Sequence, residues 1–353
     1  MNVLILEPHL SASLSIAKFL KKYSDNIFIV GCWTTTKDKD NVIGKLPSIN
    51  KSSDFDKYIV HEINQELFDE YSVIVPTGNI SSEAFLDLRP EYRLGEIGFR
   101  KDNLVVSDKN YMLGLCNEIA IPIPYTYRAG EEIKSFPVFY KADHEPLSQT
   151  HRRNSGIIKS KEKLSKIPEH GYLVQEYIPD SSTFGVGFIA QDGKLLTHFI
   201  HEELLSHPKT GGTGVILKSI SDPKLLEYTS RLVYRLKYHG WGLAEFKYCK
   251  RRNDYVFMEI NARFWASFEF TLMKNPMFGK LLFGLYYKEK LSKNFIFINK
   301  LLYTLFLHPV GWLRYLPQIL SGHCVIQEGW RKTLKDIIRK GYYKRIRKYI
   351  HKS

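Results

Sequence analysis

This sequence has no close cysteine pair, no dinucleotide fingerprint and no long uninterrupted apolar run. The four cysteines, Cys32, Cys116, Cys249 and Cys324, lie far apart, which excludes a zinc knuckle or a redox dithiol by spacing and suits a reducing cytosol. Glu7, Pro8 and His9 break the opening apolar segment, and no basic stretch precedes it, so no signal peptide is expected. That first run also lacks the three glycines of a dinucleotide site and continues instead as Pro8, His9, Leu10 and Ser11. There is no Ser-His-Asp set, cysteine-nucleophile context or zinc spacing to support hydrolase chemistry.

What is present reads as a folded, mixed chain. Hydrophobic residues make up 44% and charged residues 25% of 353 positions, an ordinary balance that argues against disorder, and the length calls for two or three packed subdomains. The net charge of +14 is unevenly spread. From Lys280 to Ser353 there are 16 Lys and Arg against 3 acids, a net +13, which leaves a nearly neutral body before it. A polyanion partner is therefore a question for the tail alone, and no RNA- or DNA-reading motif accompanies it, so nucleic acid is not expected.

The opening VLILE (Val3 to Glu7) predicts a strand, and Ala12 to Lys22 a helix with apolar Leu14, Ile16, Ala17, Phe19 and Leu20. Further apolar runs at Ile27 to Gly31 and Val73 to Val75 alternate with helical stretches at Glu62 to Glu70 and Ser82 to Leu88. This pattern predicts a Rossmann-like α/β domain over residues 1–103. Strand-rich segments follow: FPVFYKA (Phe136 to Ala142), YLVQEYI (Tyr172 to Ile178), FGVGFIA (Phe184 to Ala190) and KLLTHFIHEEL (Lys194 to Leu204). Asp192-Gly193 is a strong hairpin signal, a helix is expected over Pro223 to Tyr238, and GLAEFKYC (Gly242 to Cys249) and YVFMEIN (Tyr255 to Asn261) form a second hairpin.

That last hairpin carries candidate chemistry. Glu245 lies in one strand, and Glu259 and Asn261 share a face of the next, because strand side chains repeat every second position. Acids inside apolar strands are costly to bury unless a cation offsets them, and three oxygen side chains suit magnesium. Taken alone, the hairpin is equally compatible with acids that face solvent.

The string MEINARFWAS (Met258 to Ser267) closely resembles the metal-binding strand of ATP-grasp enzymes, with Glu259, Asn261 and Arg263 at the signature positions. Preceding it in the family's order are SDKNYM (Ser107 to Met112), FPVFYKA, LVQEYI, TGGTG (Thr210 to Gly214) and GLAEFK (Gly242 to Lys247). The resemblance extends over residues 1–275 and is nearest to the carbamoyl-phosphate-synthase-like, carboxylate-amine ligase branch. It implies a pre-ATP-grasp domain (1–103), a two-lobed ATP-grasp domain (104–290, small lobe about 136–178, large lobe about 179–290) and a basic, aromatic, helical tail (291–353). It implies ATP and Mg2+, with Mn2+ as an alternative ion, and a ligase that joins a carboxylate to an amine through an acyl phosphate. The site residues it implies are Lys109 and Lys141 at phosphate oxygens, and Gln175, Glu176 and Ile178 at an adenine hinge. Thr183 falls near the ribose, Arg263 and Lys141 at the developing charge, and Glu245, Glu259 and Asn261 at the metal.

Two departures stand out. The lid that is usually glycine-rich reads DHEPLSQTHRRNSG (Asp143 to Gly156), so that His151, Arg152 and Arg153 would neutralise phosphate in place of backbone amides. After the hinge, Ser182 and Thr183 stand where many relatives carry an acid. The alternative reading is a degenerate nucleotide-binding scaffold without ligase activity.

The tail has no role in that chemistry. Phe295 to Leu320 is apolar but broken by Lys300, His308, Pro309 and Arg314, which makes it a poor spanning helix. From Trp330 the apolar residues Leu334, Ile337, Ile338, Tyr342, Ile346, Tyr349 and Ile350 recur near helical spacing against a basic face. Such a helix either packs on the body or lies on anionic lipid. The second option predicts a cytoplasmic protein peripheral to the inner membrane face, with small-molecule or glycan-linked carboxylate and amine substrates.

Overall fold

In the computed structural model the described residues are 1–35, 52–128, 130–144, 155–168, 170–179, 182–207, 213–287, 292–307 and 313–325. The strand formers at the N-terminus make β1 (Asn2–Leu6), followed by α1 (Ser11–Tyr23), β2 (Phe28–Thr35), β3 (Lys57–Glu62), α2 (Gln65–Glu70), β4 (Val73–Val75) and α3 (Asn79–Leu88). The four strands are parallel in the order β3-β2-β1-β4. Val3, Leu4, Ile5 and Leu6 are all fully buried, so β1 reads as an unbroken apolar run rather than an alternating one.

A hairpin of β5 (Glu91–Leu94) and β6 (Ile97–Arg100) leads through a short 3-10 segment to α4 (Lys109–Glu118). Asp108 caps this helix by accepting from the Tyr111 amide at 3.0 Å. A second, antiparallel sheet follows from β7 (Thr126–Tyr127), β8 (Val138–Ala142), β9 (Ser155–Ile158), α5 (Lys161–Leu164) and β10 (Tyr172–Glu176), in the order β7-β10-β8-β9.

The third sheet has seven strands. Its elements are β11 (Thr183–Gln191), β12 (Lys194–His207), β13 (Thr213–Ile220), α6 (Pro223–Arg235), β14 (Gly240–Cys249), β15 (Asp254–Asn261), α7 (Phe268–Lys274), α8 (Pro276–Phe283), β16 (Asn294–Phe297), α9 (Ile298–Leu307), α10 (Leu316–Ser321) and β17 (His323–Val325). The strand order is β15-β14-β11-β12-β13-β16-β17. The Asp192-Gly193 turn joins β11 to β12 with both residues at positive φ, +49° and +83°, the geometry that matches strand twist in a tight hairpin. One hydrophobic core runs from β1 and α1 to the seven-stranded sheet, and Lys18 of α1 meets Glu269 of α7 at 2.8 Å.

The helix expected to end at Tyr238 stops at Arg235. The region expected as a helical tail from residue 291 also differs within its described part. Phe295, Ile296 and Phe297 form β16 and are buried in the large sheet, and β17 adds alongside. The physical reason is the free edge of β13, which a short aromatic and β-branched run pairs and covers. Among the described residues no helix is long and apolar enough to cross a membrane. The lid residues His151, Arg152 and Arg153, most of the TGGTG loop and the basic stretch from Trp330 lie outside the described residues.

Candidate functional site

The site is laid out on one face of the large sheet. Glu245 of β14 stands directly opposite Glu259 of β15, and Leu243 opposite Asn261. Directly paired residues point to the same side of a sheet, so the three oxygen side chains converge there. Asn261 donates to Glu245 Oε2 at 3.2 Å, and Arg263 donates to Asn261 Oδ1 at 2.9 Å. A second Arg263 nitrogen donates to the Phe264 carbonyl at 3.2 Å, which fixes the guanidinium against the strand end.

Two carboxylates pressed together out of water cannot both ionise cheaply. Burial, then the Glu259 charge, pushes the Glu245 carboxyl well above its usual range. Burial would raise Glu259 as well, but Lys141, then Lys109, the Glu245 bond and Arg263 bring it below its usual value. An acid pair with an amide oxygen beside it is a hard oxygen donor set that fits magnesium.

The cations come from the second sheet and from α4. Lys141, near the end of β8, is 6% exposed, and its ammonium donates to the Met258 carbonyl at 2.9 Å, one residue before Glu259. Burial lowers its pKa to about 8, while Glu259 opposes the shift. Lys109 is the first residue of α4 and is also buried; its amide donates to the Asp143 carbonyl at 3.0 Å. The structure thus gathers Glu245, Glu259, Asn261, Arg263, Lys141 and Lys109 in one place.

The hinge candidates form a separate group at the end of β10. Gln175 is 1% exposed; its amide donates to Thr126 Oγ1 at 2.9 Å, and its Oε1 has no partner. The Glu176 amide donates to the Tyr125 carbonyl at 2.8 Å. The Glu176 carboxylate accepts from the Tyr125 amide and from Arg251 and Arg252. Its N–H and side chain are therefore already engaged. Ile178 packs with Cys249 and Val256. Thr183 sits on β11 between Lys247 and Glu203 of the neighbouring strands.

Sequence reasoning missed three charged residues on this face, Glu203, Lys247 and Lys300. Only Lys247 left a signal, since it lies two positions beyond Glu245 and shares its side of the strand. It also missed His201, which is 1% exposed and opposite Gly185, itself opposite Glu245. Burial lowers the His201 pKa to about 4.

A parallel sheet, an antiparallel sheet and a large, mostly antiparallel sheet with facing acids, approached by Lys141 from the second sheet and Lys109 from α4, make up the ATP-grasp fold, and this chain has it. The L-amino acid ligase of Bacillus licheniformis superposes with a TM-score of 0.53 at 12% identity, covering 80% of this chain and 74% of that one. The biotin carboxylase domain of the Hydrogenobacter thermophilus 2-oxoglutarate carboxylase, solved with MgADP, ADP and bicarbonate, gives 0.51 at 12% identity, covering 74% and 64%. In sequence, a D-aspartate ligase of Enterococcus faecium is 24% identical over 177 residues. That match covers 42% of each chain, so less than half of the curated relative's length is spanned. No protein-family model matches.

Proposed function

We propose that this protein is an ATP-dependent ligase that activates a carboxylate, an amino acid's carboxyl in the first instance, and joins it to an amine with release of ADP and phosphate. The observation that carries this reading is the Glu245–Glu259 pair with Asn261 and Arg263 on one strand hairpin, reached by Lys141 from the opposite sheet. The names of the similar proteins, an L-amino acid ligase and a D-aspartate ligase, agree with it.

Lys141 and Lys109 would hold phosphate oxygens, and Arg263 would face the oxygens that gain charge as the carboxylate attacks the γ-phosphorus and the bond to ADP breaks. The amine then attacks the acyl carbon, loses a proton and expels phosphate. Glu245, Glu259 and Asn261 would hold Mg2+, or Mn2+ in its place, which when bound neutralises charge on the nucleotide's phosphates. Gln175, Glu176, Ile178 and Thr183 would line the nucleoside. The parallel N-terminal sheet is read as the pre-ATP-grasp domain, and the basic stretch from Trp330 as a contact for anionic lipid. A glycan-linked or lipid-linked acceptor would suit that contact.

ADP release with Mg2+ against a panel of amino-acid carboxylates and amines tests the reaction. Turnover with a defined pair, lost in Glu259→Gln, supports it; binding of a non-hydrolysable ATP analogue without turnover of any pair leaves the non-catalytic scaffold. Flotation with anionic liposomes, full-length against a chain ending at Gly329, tests the tail.

A further inference from the structure

Thr126 of β7 and Gln175 of β10 stand directly opposite each other, and one hydrogen-bond chain runs through both. Thr126 Oγ1 donates to the Pro124 carbonyl at 3.2 Å, and Gln175 Nε2 donates to Thr126 Oγ1 at 2.9 Å. A hydroxyl has a single proton, and a carbonyl can only accept. With that proton committed to Pro124, the hydroxyl can only accept from Gln175, so the NH2 end of the amide is the end turned to Thr126. The hydroxyl therefore sets the direction of the amide, and Oε1 lies at the end away from it.

That oxygen has no hydrogen-bond partner among the described residues, in a side chain only 1% exposed. Buried acceptors are nearly always satisfied, so an orphan held in place by a second side chain calls for a donor from outside the chain. Its position says where that donor comes from. Leu173 and Gln175 share one face of β10 and stand opposite Lys141 and Phe139 of β8. Lys141 uses that face to reach the Met258 carbonyl in the large sheet. Gln175 thus faces the same space between the sheets as the Lys141 ammonium, about 7 Å further along the strand. A nucleotide whose phosphates meet Lys141 carries its base along β10 toward Gln175, where Ile178 packs with Cys249, Val256 and Met258.

A fixed acceptor at that point sorts purines by the group at position six. Adenine carries an amino group there, which donates. Hypoxanthine and guanine carry an oxygen, which would meet Oε1 lone pair against lone pair. A glutamine amide free to turn over would offer its NH2 to that oxygen instead and accept either kind of base. The discrimination therefore depends on what stops the amide from turning, and that is the Thr126 hydroxyl.

We infer that Thr126 is a positioning residue for nucleobase selection. By holding the NH2 end of the Gln175 amide it keeps Oε1 as an acceptor for the amino group of adenine and shuts out six-oxo purines. This rests on the nucleotide site proposed above.

The test is calorimetric titration of the full-length protein in Mg2+ with ADP and with IDP, whose bases carry amino and oxo groups at position six. Wild type binds ADP at least tenfold more tightly than IDP. Thr126→Val, close in shape and suited to a strand, narrows that ratio at least fivefold and binds IDP more tightly than wild type does, a gain that no folding defect produces. Thr126→Ser retains the hydroxyl and the wild-type ratio. Gln175→Met narrows the ratio by weakening ADP alone, and it carries the test should Thr126→Val not fold, with thermal midpoints as the check. An unchanged ratio in folded Thr126→Val, or in Gln175→Met should that variant carry the test, or a wild type that does not discriminate, would overturn the inference. Binding of neither nucleotide would overturn it together with the nucleotide site itself. The expected ratios without turnover of any substrate pair would support it and count against the ligase reading alone.

Discussion

The Lys141 ammonium donates to the Met258 carbonyl at 2.9 Å, which ties the strand of one sheet to the strand of another at the residue before Glu259. One side chain thus bridges the two sheets and sets a positive charge beside the acid pair.

Lys141→Met is expected to weaken binding of a non-hydrolysable ATP analogue by ten- to a hundredfold, since a charge-assisted hydrogen bond to phosphate contributes about 1.5–3 kcal/mol. Calorimetry in Mg2+ measures this directly. Unaltered affinity would remove Lys141 from the nucleotide site.

The two glutamates should respond unequally to the same substitution. Burial and the Glu259 charge push Glu245 toward its neutral form, and a glutamine is close in shape and charge to a neutral glutamate. Glu245→Gln therefore leaves the thermal midpoint in chelator nearly unchanged. Glu259→Gln takes the negative charge from beside buried Lys141 and Lys109 and lowers that midpoint. Added Mg2+ raises the midpoint of the wild type and of neither variant. Equal midpoints for the two variants in chelator would show that the two carboxyls are not shifted in opposite directions.

His201 should make stability fall in acid. Its folded pKa is about 4 against 6.5 unfolded, so the unfolded chain binds more protons between those values, and stability, intact above pH 6.5, is lost as pH falls toward 4. The full effect is about 3 kcal/mol. Urea unfolding of wild type and His201→Phe from pH 7 to pH 4.5 should show a shallower slope for the variant, and parallel curves would refute the assignment.

Gly185→Ala tests the same contact from the other side. An added Cβ would fall 2.5 Å from His201 Cε1 and 3.0 Å from Leu243 Cδ1, and overpacking of a filled core costs about 1–3 kcal/mol. A loss of that size in urea unfolding is expected. A variant as stable as wild type would mean that the imidazole has room to move.

Much of this protein was legible in its sequence because the relevant signals are local. Period-two placement put Glu259 and Asn261 on one face, the Asp192-Gly193 pair announced a hairpin, and ordered segments from SDKNYM to MEINARFWAS pointed to the fold. A helix start at Lys109 and a strand end at Lys141 followed from the same short-range patterns. What lay beyond reach depends on which strands become neighbours. No spacing rule relates Glu203, Lys247 and Lys300, since they lie on different strands and a helix and meet only because β11 pairs on both edges while β16 and α9 close over β13. That one of two facing glutamates is pushed up and the other down was likewise decided by the tertiary structure, because the pKa of a buried acid depends on the cations that packing brings within a few ångströms of it.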